Sequence, residues 1–112
     1  MLKICIFVSK IVPPKISDDF TEDYVAYLNK PIMIYCNADG IPKPTITWMK
    51  NGIFIDPFLD PNVQFLKDNS ALLLKWARME DSGKYTCVAS NPAGKEEKNF
   101  NIHVYSMFLY FY

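Results

Sequence analysis

Residues 81–94 read DSGKYTCVASNPAG, and Asp81, Gly83, Tyr85 and Cys87 fall at every second position within that stretch. Side chains alternate across an extended strand, so these four share one face. Another cysteine, Cys36, and a tryptophan, Trp48, stand upstream, each inside its own run of alternating apolar residues. A strand face that combines an acid, a tyrosine and a cysteine serves catalysis, metal binding or a core. The rest of the chain decides among these.

Metal binding fails first. The three cysteines, at 5, 36 and 87, form no close pair, and the single histidine is His103. Tetrahedral sites need close pairs or partnering histidines. Catalysis fails next, because a nucleophile needs a base and an orienting group within reach, and a lone histidine near the end of a strand reads as a solvated surface residue. No cofactor-binding motif is present either. Twelve basic and twelve acidic residues cancel, which leaves no charge excess to steer the chain onto nucleic acid or anionic lipid. Half of the 112 residues are apolar, enough for one domain with a real core.

A core is what the remaining pattern builds. No segment keeps a 3.6-residue apolar period. Short alternating runs recur instead, the mark of an all-β sandwich or barrel. Ile32, Ile34, Cys36 and Ala38 form one run, and Ile46 and Trp48 another. Leu72 and Leu74, then Tyr85, Cys87 and Ala89, then Phe100, Ile102 and Val104 complete the set. Weaker strands are expected near Ile16, at 24–27, at 53–55 and at 63–66, with Asn51-Gly52 as a tight turn. Seven or more such strands need two packed sheets. Cys36 and Cys87 then point inward and can meet across the core, or remain two buried thiols in a reducing compartment.

The Cys36…Trp48…Tyr85-x-Cys87 arrangement resembles the immunoglobulin sandwich. Residues 13–105 resemble its intermediate, or I-set, type. The matching motifs are Pro13-Pro14-Lys15-Ile16, the run from Cys36 through Ala38, Gly40, Pro42, Pro44, Ile46, Trp48 and Lys50 to Gly52, then Leu72-x-Leu74, DSGKYTCVASNPAG, and Phe100-x-Ile102-x-Val104. Within the family the likeness is strongest to the tandem modules of hemicentin-type matrix and adhesion proteins. The resemblance implies an all-β, immunoglobulin-like I-set sandwich of two antiparallel sheets with one inter-sheet disulfide, Cys36–Cys87. It also implies structural roles for Trp48, Leu74, Asp81, Gly83 and Tyr85, the tyrosine bonding backbone at the turn before its strand. Trp76, at a position usually polar in the family, is expected to cover the lower end of the core.

The functional expectation is a protein-contact module without chemistry, extracellular and either secreted or part of a cell-surface ectodomain. Its partners would be modules of the same kind or matrix components, with no nucleic acid and no membrane insertion by this segment. Two alternatives accompany it: an intracellular sarcomeric scaffold with reduced cysteines, and a module appended to an enzyme such as a peroxidase or receptor kinase. Contact residues are sought at Met49 and Val88, on the outward face of the later strands, and at Phe54 and Phe58, in a stretch too apolar to be buried by alternation alone. Residues 1–12 are expected to be a tail, with Ile4–Val8 as the end of a preceding domain's last strand. The apolar 106–112 tail, SMFLYFY, replaces the Pro-containing linker of tandem arrays, so the C-terminus is not expected to be a natural domain boundary.

Overall fold

The computed structural model describes residues 10–18 and 21–106. The expectations for Ile4–Val8 and for 107–112 lie outside the described residues. Among the described residues ten strands form: β1 Val12–Ile16, β2 Glu22–Tyr27, β3 Ile32–Tyr35, β4 Ala38–Ile41 and β5 Thr45–Lys50. After these come β6 Ile53–Phe54, β7 Val63–Leu66, β8 Ala71–Leu74, β9 Gly83–Asn91 and β10 Gly94–Tyr105. A 3-10 turn, Met79–Asp81, precedes β9.

One layer is a five-stranded sheet in the order β2-β10-β9-β5-β6. The opposing layer holds β3-β8-β7 and the separate pair β1-β4. The run from Ile32 to Ala38 is therefore not one uniform ladder. It pairs with β8 up to Tyr35, and beyond Cys36 its continuation β4 pairs with β1. Cys36 stays tied to the sheet, its N–H donating to the Ser70 carbonyl at 2.7 Å.

Pairing at one edge is parallel. β2 runs parallel to β10, with Tyr24 beside Ile102 and Tyr27 beside Tyr105. β1 and β2 belong to different sheets, and β2 runs alongside the last strand in the same direction. At this edge Lys98, buried on β10, pairs with Glu22 on β2, and the Tyr24 hydroxyl donates to the same carboxylate.

The inward faces of both layers supply the core: Ile16, Ile34, Leu72 and Leu74 from one side, Ile46, Trp48, Tyr85, Phe100 and Ile102 from the other. The Cys36–Cys87 disulfide crosses between them. The Trp48 and Phe100 rings pack with centroids 5.6 Å apart. Burial of Trp48 leaves its indole N–H to be satisfied, since a buried donor without a partner is costly. Lys67, Asp68 and Asn69 solve this by adopting positive φ in succession, a turn that delivers the Asn69 carbonyl to the indole at 2.7 Å.

Trp76 does not cover the core as expected; it is 43% exposed. Ala77, fully buried, closes that end instead, bridged to Leu28. The backbone around Trp76 is claimed by Asn62, whose side chain accepts the Trp76 N–H and donates to its carbonyl, both at 2.8 Å. Alternation from Leu74 breaks there, and the indole is left outside.

Candidate functional site

Two sets of residues matter here: those that fix the frame and those the frame displays. In the first, Asp81 is the hub. It is 3% exposed. One oxygen accepts the Arg78 N–H at 2.7 Å and the Arg78 Nε at 3.1 Å, and the other accepts the Arg78 guanidinium at 3.0 Å. The Asp81 carbonyl accepts the Tyr85 hydroxyl at 2.8 Å. Burial, and next the charge of Asp81, hold that hydroxyl well above the usual tyrosine range. Arg78 also reaches Asp60 at 2.8 Å. Burial works to raise the Asp60 carboxyl, but the Arg78 hydrogen bond and the Asn62 N–H together outweigh it and hold the group below its ordinary value. Arg78, Asp60 and Asn62 were not found by sequence reasoning. They stand far from Asp81 along the chain or lack a motif, and only the turn geometry brings them together.

Gly83 enters β9 with φ +154°, and a Cβ there would sit 3.0 Å from the Asn51 side chain. That side chain accepts the Lys84 N–H at 3.1 Å. The Asn51-Gly52 turn is thereby locked to the start of β9, which fixes the position of β6 at the sheet edge.

The displayed set lies on the outward face of the five-stranded sheet. Register places Phe54 opposite Met49, and Met49 opposite Thr86, which in turn pairs with Asn99. In the next row Thr47 faces Val88, and Val88 faces Glu97. Phe54 is 64% exposed at the open edge, and Met49 is half-buried beside it. The Thr86 hydroxyl donates to the Asn99 side chain at 2.8 Å. Val88, sought as a contact residue, is only 8% exposed. It sits on the central strand, flanked on both sides by paired strands, so it offers a floor and not a protrusion.

Phe58 is 96% exposed and does not belong to this row. It lies on the loop after β6, where the Asp56 carboxylate accepts its N–H at 2.9 Å. A concavity of about 260 Å³ opens beneath this loop, lined by Ile55, Leu59, Val63, Tyr85, Lys50 and Arg78 among others. His103 is exposed on β10 beside Val25. Cys36 and Cys87 are consumed by their bridge. Among the described residues no group of three His, Cys, Asp or Glu side chains is placed to hold a metal ion. Among them, too, no helix is long and apolar enough to cross a membrane.

Comparison with known proteins agrees with this geometry. The family model of the immunoglobulin I-set domain matches residues 14–104. The chain is 41% identical over 98 residues to mouse (Mus musculus) hemicentin-2, covering 87% of this chain and 2% of that protein. It is 32% identical over 81 residues to bovine (Bos taurus) neural cell adhesion molecule 1, covering 72% of this chain and 10% of that one. Among solved structures, the N-terminal two-domain immunoglobulin module of the Drosophila receptor protein tyrosine phosphatase DLAR superposes with a TM-score of 0.71 at 36% identity, over 82% of this chain and 45% of that one. The chain therefore spans only a small part of the curated relatives it matches. By fold, by the Cys36–Cys87 bridge with Trp48 and Tyr85 around it, and by the family match over nearly the whole described chain, this protein belongs to the immunoglobulin I-set family.

Proposed function

We propose that the chain is an adhesion or scaffolding module of an extracellular multi-domain protein, and that it works by protein contact without chemistry of its own. The observation that carries this reading is the exposed Phe54 at the sheet edge, backed by Met49 and flanked by the short polar side chains of Thr47, Thr86 and Asn99. Interfaces are commonly built from an aromatic anchor and a polar surround. The disulfide supports an oxidising compartment. The adhesion molecule among its relatives supports the contact role. The partner we infer is another immunoglobulin module, a second copy of this chain being the simplest case.

Clustering of beads coated with the protein tests this. Phe54→Asp and Met49→Asp should abolish clustering, whereas Tyr35→Asp, on the outward face of the opposite layer, should leave it intact. Absence of clustering by the unaltered protein, or equal loss from both faces, contradicts the assignment.

A further inference from the structure

Phe58 stands almost wholly in solvent, and Leu59 beside it is 83% exposed. The loop that carries them is held at both ends. The Asp56 carboxylate accepts the Phe58 N–H, and the Asp56 carbonyl accepts the Leu59 N–H at 3.1 Å. At the far end the Asp60 carboxylate accepts the Asn62 N–H at 3.0 Å. Pro57 fixes its own φ between them. Local hydrogen bonds of this kind set the turn, so Phe58 is held out from the surface as a knob. An aromatic side chain on a pre-set loop gives up little freedom on binding, which is what an anchor needs.

Beside the knob lies a hole. The concavity beneath the loop is lined by Ile55, Leu59, Val63, Leu74 and Tyr85, and Phe58 of the same chain is not among its lining residues. Its volume is about 260 Å³, and an apolar cavity of about 150 Å³ already holds a benzene ring. One phenyl side chain fits it. The charges match as well. Lys50 and Asp56 both line the hole, yet among the described residues neither is in an ion pair. Lys50 donates to the Glu80 carbonyl, and Asp56 serves the turn that carries Phe58. Asp56 travels with the knob, whereas Lys50 sits on β5 at the hole.

We propose that two copies of this chain pair through this patch about a twofold axis. Phe58 of each copy enters the concavity of the other, and Asp56 of each loop meets the partner's Lys50. A twofold contact must be self-complementary, and a knob beside a hole makes one patch so. The pairing shares no residue with the Phe54 face and does not rest on it. Copies crowded on one bead satisfy it among themselves, so bead clustering still reads the Phe54 face.

Sedimentation equilibrium of the full chain tests the proposal. The contact is small, so a weak, reversible dimer is expected. Phe58→Ala removes both knobs of a pair and should weaken dimerisation by roughly 100-fold or more. Val63→Phe fills the hole and should do the same, whereas Phe54→Asp should leave the dimer as it is. Mixing the Phe58→Ala and Val63→Phe chains should give a pair of intermediate strength, since one still has a hole and the other a knob. A chain that stays monomeric at every concentration overturns the proposal, as does a dimer that Phe58→Ala leaves intact. So does a mixture that fails to associate although both variants unfold cooperatively on heating. Loss of the dimer on Phe54→Asp, with Phe58→Ala silent, would move the pairing to the Phe54 face and overturn it too.

Discussion

At the scale of single residues the frame turns on Asp81. Its buried carboxylate holds Arg78 by backbone and side chain, and its carbonyl holds Tyr85. Truncation by Asp81→Ala strands the Arg78 N–H and deprives the guanidinium of one of its carboxylate partners, leaving Asp60. Because the Arg78 side chain is one-third exposed, the cost should sit at the low end of the range for breaking such a pair, about 2–3 kcal/mol. Tyr85→Phe, which removes one neutral hydrogen bond, should cost about 1 kcal/mol. Urea denaturation of the two variants checks the order. Titration adds a second prediction. Lys98, followed by Tyr24, draws the Glu22 carboxyl below its usual 4.5, and Asp60 is held below 3.8. Folded values lower than unfolded ones add stability that is present above the unfolded pKa and is lost as pH falls through the folded one. Unfolding free energy should therefore decline below about pH 4.5, and Glu22→Gln with Asp60→Asn should flatten that decline. The roles of Asp81 and Tyr85 were legible from the DSGKYTC stretch, although the two-residue step carries Asp81 out of β9 into the 3-10 turn before it. Those of Asp60, Asn62 and Arg78 were not, since no period links residues that meet only across a turn.

At the scale of elements, the alternating apolar runs located most strands, because alternation is what burial of one face requires. It located less well what happens where alternation stops. Trp76 was expected to cover the lower end of the core, but the buried Ala77 takes the inward place and the indole is expelled. Likewise an outward phase put Val88 on the contact face without showing that a central strand covers its small side chains. The parallel pairing of β2 with β10 left no local trace, since register between distant strands is not written in either one. The lock between the Asn51-Gly52 turn and β9 gives a prediction at this scale. Gly83→Ala would set a Cβ 3.0 Å from the Asn51 side chain in a backbone region that L residues rarely adopt. Destabilisation of about 1–2 kcal/mol is expected, measured by thermal unfolding, with loss of the Lys84 amide's protection from hydrogen exchange.

At the scale of the whole molecule, the two layers meet over one core and one covalent bridge. Cys36 and Cys87, with a sequence separation of 51, close a long loop. Such a closure stabilises a small sandwich by roughly 4 kcal/mol in the chain-entropy view. The family was legible from Cys36, Trp48, Tyr85 and Cys87 together, because that set is what an inter-sheet bridge needs around it. The residues sought for contact do not all share one surface: Met49 and Phe54 share a row, whereas Phe58 stands apart on its loop. The extracellular reading and the frame both rest on the bridge being closed. Counting thiols in the denatured protein, made through a secretory pathway and kept free of reductant, tests it directly. The chain has three cysteines, so a closed bridge leaves no more than one titratable thiol per molecule. Three thiols would contradict both the bridge and the extracellular assignment that depends on it.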